Sequence, residues 1–317
     1  MRYKDFGKTG LSVSEISIGT WALGGKDMGP VNETDAINAI HAMLDNGVNF
    51  IDTAPTYGRG SSETIVGKSL KGRRDKVTLL TKCGIRWEEG PKNFKKGAIR
   101  DSSRESILKQ IDDSLKRLQT DYIDFYLIHW PDVNTPLEET VDTLKDLRKA
   151  GKIRFSGISN FEDKAMEILL TQGVLDVIQF PYSMVNRSQE HLLKKYHANG
   201  VATMGYGSLG AGILTGAIRE LPKFDAGDAR LGFYDFFVEP KFSKVMQLVA
   251  VLDEIAQSRC VPVSQVAINW TTQQSFINTS LTGVRNAEEA NENTEAMNWR
   301  LTSDEIAKID TAILLVE

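Results

Sequence analysis

The chain has 317 residues, 38 Lys and Arg against 42 Asp and Glu, and a formal net charge of −4. That balance offers no basic surface for nucleic acid or an anionic membrane, and no apolar run approaches the length of a membrane span. The length suits one α/β barrel, so a single domain over 1–317 is expected. Met1 to Lys8 lacks the apolar core of a secretory signal. Cys83 and Cys260 show neither CxxC nor zinc-like spacing, which fits a cytoplasmic protein without a structural disulfide or a metal site.

The segment from Lys4 to Ser14 reads as a short hairpin turning around Gly7–Gly10. A unit then recurs. Glu15–Gly19 is a first strand, and Thr34–Asn46 is a helix with Ile37, Ile40, Met43 and Leu44 at helical spacing and Gly47 as its stop. Val48–Asp52 is the second strand, followed by a helix over Ser62–Leu70. Val77–Lys82 is the third, with a polar and aromatic loop behind it. Ser102 to Glu105 has a capping-box pattern opening a helix that carries Ile107, Ile111, Leu115 and Leu118. Ile123–His129 is the fourth strand, and Thr135 to Glu138 caps the next helix, with Pro136 at its first position and Gly151 past its end. Arg154–Ser159 is the fifth strand, with a helix over Ala165–Leu170. Val177–Phe180 is the sixth, with a helix begun by Ser188 and closed before Gly200. Val201–Tyr206 is the seventh. Helices over Phe242–Gln257 and Val263–Gln273 precede the eighth strand, Ile277–Thr282. A short helix over Glu288–Glu295 and a terminal one capped at Thr302 to Glu305 complete the chain.

Eight short apolar strands, nearly all separated by helices, require parallel pairing with helical crossovers. An open doubly wound sheet also alternates in this way. The count of eight and the polar residues at strand C-termini favour an α/β fold of the (β/α)8 TIM-barrel type, with the N-terminal hairpin and extra C-terminal helices. The turn after the first strand, Ile18 to Ala22, lacks the glycine fingerprint of a dinucleotide-binding open sheet.

Three strands end in loaded residues: Asp52 with Tyr57 five positions on, Lys82, and His129. Each alone has a structural explanation: a loop cap, a rim aromatic, a paired lysine, a core histidine. Together they suit protonation of an alkoxide as hydride arrives from a nicotinamide ring. An ammonium at Lys82, oriented by Asp52, lowers a phenol's pKa, and His129 can donate to a carbonyl oxygen. Cys83 reads as a packing thiol that alternates away from Lys82.

The runs Val48–Glu63 and Gly151–Phe161, with Leu-Ile-His-Trp-Pro at 127–131, resemble the signatures of the aldo-keto reductase family. The resemblance extends from the hairpin to about Trp299. It implies Asp52, Tyr57, Lys82 and His129 as the catalytic tetrad, with Tyr57 as general acid. It implies that Gly19, Thr20 and Trp21 flank the nicotinamide ribose, with Asp52 also beside the cofactor. Ser159, Asn160 and Gln179 would bind the carboxamide and Tyr206 would stack under the ring. Ser159 and Asn160 also read as a simple helix N-cap.

The family's usual Tyr-Ser-Pro-Leu stands here as Tyr206-Gly207-Ser208-Leu209. The serine contact to pyrophosphate is therefore absent or moved to Ser208, and the backbone from Ser208 to Gly212 is left to cradle phosphate. Gly283, Arg285, Glu289, Glu292 and Asn293 match the adenosine end. Arg285 is the expected 2′-phosphate partner, with Arg230 as a second. Glu289 would repel a 2′-phosphate but bond a ribose hydroxyl. NADPH is the expected cofactor and NADH the alternative. Glu292 alone reads as a solvated helix residue.

Trp21, Trp87 and Trp130, with Tyr57 and His129, would wall a pocket for a small carbonyl substrate; for Trp87, packing under a loop is an equal reading. Residues 217–240 are the expected lid. With no long tail after the last helix, an open and permissive pocket is expected. The resulting reading is an NADP-dependent reductase of aldehydes, ketones or open-chain sugars. Two alternatives are a nicotinamide-binding regulatory subunit, as in the potassium-channel β-subunit relatives, and a barrel aldolase with Lys82 as Schiff base. Oligomeric state is left open by the sequence.

Overall fold

The structure is a computed structural model and describes residues 1–25, 29–87, 98–224, 228 and 230–316. In chain order, its first strands are β1 (Tyr3–Asp5), β2 (Ser12–Ser14) and β3 (Ile16–Gly19). They are followed by α1 (Glu33–Asp45), β4 (Phe50–Asp52), α2 (Ser61–Ser69) and β5 (Thr78–Cys83). Next come β6 (Ile85–Trp87), β7 (Ala98–Arg100), α3 (Arg104–Leu118), β8 (Ile123–Ile128), α4 (Leu137–Lys149) and β9 (Ile153–Ser159). The chain continues through α5 (Asp163–Thr171), β10 (Val177–Pro181), α6 (Glu190–Ala198), β11 (Ala202–Tyr206), α7 (Arg230–Phe233), α8 (Lys241–Arg259) and α9 (Val263–Thr272). It closes with β12 (Thr279–Gly283), α10 (Ala287–Glu295) and α11 (Ser303–Ile313).

Strands β3, β4, β5, β8, β9, β10, β11 and β12 pair in that order and close on themselves into an eight-stranded barrel. Each ladder is parallel, including the closing pair, in which Thr282 faces Ile18 and Gly283 faces Gly19. Parallel strands are buried on both faces, so their side chains divide between two cores. Ile18, Ile51, Leu79, Cys83, Tyr126, Ile128 and Ile158 point outward into the layer beneath the helices. Phe50, Leu80, Phe125, Leu127, Val177 and Met204 fill the barrel interior.

The β1–β2 hairpin plugs the bottom. Phe6 inserts there, its ring 5.3 Å from Phe50 and 5.0 Å from Phe125. Lys4 Nζ donates to the carbonyls of Thr272 and Ile277, tying the hairpin to the end of α9 and the connection that leads into β12. With the bottom stoppered, only the C-terminal rim is open for a site.

The structure differs from the sequence expectations at several element ends. Ser103, not Ser102, caps α3, accepting from the Ser106 amide, because the Ser102 amide is taken by Asp132 Oδ2. Pro136 is the N-cap of α4 rather than its first turn, and Thr135 donates to Asp132 instead of capping. Ser188 donates to Asn186 in a turn, and α6 starts two residues later. The loop after the third barrel strand contains a further antiparallel pair, β6–β7, whose connection lies outside the described residues. Part of the expected lid, residues 225–227 and 229, lies there too.

The expected box at Thr302 does form, with Glu305 accepting from Thr302 N–H and the Thr302 hydroxyl accepting from Glu305 N–H. Glu305 also takes a two-pronged contact from Arg259 on α8, at 2.6 Å for each prong. These donors hold its carboxyl down to about 2 from 4.5. A depressed carboxyl contributes stability that is fully present above its unfolded pKa and is lost as pH falls through the folded value. Glu305→Gln should therefore lower stability by about 1 kcal/mol at neutral pH, and the difference from the parent should vanish between pH 4.5 and 2. Urea unfolding across that range would measure it; a pH-independent difference would mean the charge is immaterial.

Candidate active site

The centre of the open rim is a buried ammonium. Lys82 is the penultimate residue of β5 and points into the barrel, while Cys83 beside it points out among the helices, its thiol pushed up to about 12 by burial. Lys82 Nζ donates to Asp52 Oδ1 at 2.6 Å, to the Thr53 carbonyl at 3.1 Å and to Tyr57 Oη at 3.1 Å. All three protons are thus used, and neither Lys82 nor Asp52 is appreciably exposed. Asp52 ends β4, in register with Leu80 of β5 on one side and Gly19 of β3 on the other. The Tyr57 ring lies edge-on to His129, with centroids 6.0 Å apart. His129 follows β8 directly, held by its amide on the Cys83 carbonyl. The four residues singled out in the sequence therefore meet.

Their electrostatics modify the initial expectation. Lys82 was expected to lower the Tyr57 phenol, but burial and then the Asp52 carboxylate raise it well above its ordinary value. The Tyr57 phenol consequently stays protonated across the neutral range. Burial also lowers Lys82, opposed by Asp52. His129 is driven well below 6.5 by burial and then by Lys82, so its imidazole is neutral. Its Nδ1 lies 3.4 Å from the Thr56 hydroxyl.

Around this centre lie the polar ends of the next strands. Gln179 Nε2 donates to Asp52 Oδ1 at 2.8 Å, the oxygen that also takes Lys82. Asn160 Nδ2 donates to Ser159 Oγ and to the His129 carbonyl, and Asn160 Oδ1 accepts from Tyr206 Oη at 3.0 Å. Gly19 and Gly283 face one another on the closing strands, and an added Cβ at Gly283 or Gly207 would meet nothing within 4 Å. From Gly207 to Gly212 the backbone turns repeatedly through positive φ, including Ala211 at 53°. This concave turn suits an anion.

Other expected contacts are used differently. The Thr20 hydroxyl is buried and donates to the Asp52 carbonyl, leaving only the loop itself to face a cofactor. Ser208 Oγ donates to the Leu281 carbonyl, and Gly212 N–H to that of Leu209, so neither offers those groups to a phosphate. Arg230 forks onto Asp228 and lies over the Phe224 ring, a pairing internal to its own segment. Glu292 accepts from Ser264 on α9. Arg285 pairs at 3.3 Å with Glu289, which also caps the Arg285 amide, and Asn293 is buried with Nδ2 3.4 Å from the Gly283 carbonyl.

Of the three tryptophans, Trp21 stacks on Tyr57 at 6.2 Å. Trp87 lies under the Arg59 guanidinium and Trp130 under that of Arg100. Sequence reasoning missed Phe233, which meets Trp21 edge-on from the segment after β11. It also missed the role of Glu63. This fully buried carboxylate accepts from Thr81, next to Lys82, and from Arg117 on α3, each at 2.6 Å. Only its place in the Val48–Glu63 run could have drawn attention to it.

A closed parallel barrel with its polar cluster at the strand C-termini defines a (β/α)8 enzyme scaffold. The chain belongs to the aldo/keto reductase family, whose sequence model matches residues 15–314, and is an oxidoreductase of that class. It is 38% identical over 99% of its length to the aldo-keto reductase YhdN of Bacillus subtilis, covering 94% of that protein. It is 35% identical to an NADH-specific methylglyoxal reductase of Escherichia coli, covering 95% of each chain. Among solved structures, a glycerol dehydrogenase from Gluconobacter oxydans superposes with a TM-score of 0.86 at 34% identity, over 95% of this chain and 92% of that one.

The buried pair yields a direct test. Removing one partner of a buried ion pair leaves the other charge uncompensated, at about 3–5 kcal/mol. Asp52→Ala should destabilise by that amount, and adding Lys82→Met should restore most of it. Denaturant unfolding of both variants would show this; additive losses would mean that the two charges do not depend on each other.

Proposed function

We propose that the chain, acting as one cytoplasmic domain, reduces aldehydes, ketones or open-chain sugars with a reduced nicotinamide dinucleotide, and that Tyr57 is the general acid. The observation that carries this reading is the saturated Lys82 ammonium, 3.1 Å from a buried phenol and 2.6 Å from Asp52. A lysine with all three protons engaged is poorly placed as a Schiff-base nucleophile, which weighs against an aldolase.

The surrounding residues fit the cofactor. Gln179 has its Nε2 fixed on Asp52, which leaves Oε1 to accept from a carboxamide N–H. Asn160 and Ser159 can do the same work, with Tyr206 exchanging its bond to Asn160. The positive-φ turn after Gly207, apart from the Gly210 and Gly212 amides that are spent within it, offers a phosphate cradle, and the open space at Gly283 leaves room beside it. When bound, the cofactor supplies a hydride to the carbonyl carbon.

The chain's own residues manage the proton. Tyr57 Oη gives its proton to the carbonyl oxygen as that oxygen gains charge. Lys82, already donating to Tyr57 Oη, stabilises the phenolate that remains, and Asp52 keeps Lys82 oriented. In the tautomer in which Nδ1 accepts from the Thr56 hydroxyl, neutral His129 carries its proton on Nε2 and can donate to the same carbonyl oxygen. The three-carbon substrate named for the methylglyoxal reductase makes such compounds natural first candidates.

Tyr57→Phe should abolish carbonyl reduction while leaving nicotinamide binding within a few-fold; turnover at the parental rate would remove Tyr57 as the acid. The rate of the parent should stay flat through the neutral range, with an alkaline limb below 10.5 as Lys82 loses its proton. An acid limb centred near 6.5 would mean that His129 titrates, contrary to its depressed pKa.

We favour NADPH, with Arg285 on the 2′-phosphate. Its exposed pair with Glu289 is the kind worth only about 0.3–0.5 kcal/mol, which a phosphate dianion can displace. Arg285→Ala should weaken NADPH about tenfold or more relative to NADH, and Glu289→Gln should shift preference further toward NADPH. Fluorescence titration with both dinucleotides decides; equal changes for the two would mean that this pair does not read the 2′ position.

A further inference from the structure

A cavity of about 510 Å3 adjoins the tetrad on the side of β9, β10 and β11. Trp130 and Asn160 form its inner edge, and Asn160 is bonded to the His129 carbonyl, so the cavity begins where the His129 loop ends. Phe233 and Tyr234 roof it. The volume is far more than a three-carbon carbonyl compound needs and falls in the usual range for whole ligands.

The chemistry of the lining is selective. No lysine or arginine lines it among the described residues, whereas Glu162, Asn186 and Gln189 all do. Glu162 is exposed at the mouth of α5, and its carboxylate has no hydrogen-bond or ion-pair partner among the described residues. Asp163, the other acid present, is already held by Lys195 and Tyr196, so that lysine is not available to a ligand. The Gln189 side-chain amide likewise has no hydrogen-bond partner among the described residues. Aromatic faces combined with amide and carboxylate groups, with His191 as the basic side chain of the lining and no lysine or arginine among the described residues, match hydroxyl groups and give a phosphate no permanent cation.

We propose that this cavity is a subsite for the distal, uncharged, hydroxyl-bearing part of a sugar-like carbonyl substrate, and that Glu162 excludes phosphorylated counterparts. The proposal rests on the carbonyl-reductase reading, but binding can be measured without turnover. Ligand-observed NMR with a five-carbon alditol and with its terminal phosphate should show saturable binding of the alditol and about tenfold or weaker binding of the phosphate. Gln189→Ala should weaken the alditol several-fold, and Glu162→Lys should narrow or invert the preference by at least fivefold. Equal or tighter binding of the phosphate by the parent, no alditol binding, or an unchanged preference in Glu162→Lys would overturn the subsite. Reduction of a three-carbon aldehyde without alditol binding would sink the subsite alone. Alditol binding without reduction of any carbonyl compound would sink the reductase reading and leave a polyol site.

Discussion

One buried charge organises the rim of this barrel. An ammonium held out of water must find acceptors for every proton, and Lys82 finds them in a carboxylate, a backbone carbonyl and a phenol. Those three acceptors all come from the end of β4 and the turn after it. Satisfying the lysine therefore fixes the Asp52–Tyr57 loop against β5. The same Asp52 oxygen takes Gln179 from across the barrel, so the charge ties together strands on opposite sides of the mouth.

The barrel makes this arrangement affordable by keeping the interior dry. Aromatic rings from β4, β8 and the hairpin fill the lower half of the barrel beneath Lys82. In that environment the phenol stays protonated, the imidazole stays neutral and the lysine is loosened from its usual pKa. The phenol is thus the protonated member of the set at neutral pH. Glu63, bridging Thr81 to Arg117, continues the network outward to α2 and α3 and gives the site a rigid backing.

Above the rim the structure is built from less regular backbone. The glycine-rich turn after β11 presents a concavity, and the aromatic segment around Phe233 comes down onto Trp21. These parts lie above the rim, whereas the four polar residues are held from below by the strand ends. A fixed polar centre beneath a less regular rim is the general layout in which a barrel's loops vary while its core stays the same.

The sequence by itself determined the architecture and the four central residues. Strand and helix patterning repeats with the right period, and Asp52, Lys82 and His129 sit at strand ends that only a parallel barrel brings together. Local signals were less faithful at helix starts, where Ser102 and Thr135 had the right chemistry but Asp132, three residues from Thr135 and thirty from Ser102, engaged both. Tertiary structure alone decided which hydroxyls remain free. Thr20 and Ser208 read as cofactor contacts but spend their protons on carbonyls of neighbouring strands, and Arg230 and Glu292 are claimed by nearby side chains. It also reversed the expected shift of Tyr57, because desolvation depends on what surrounds a group in three dimensions and spacing along a chain does not report it.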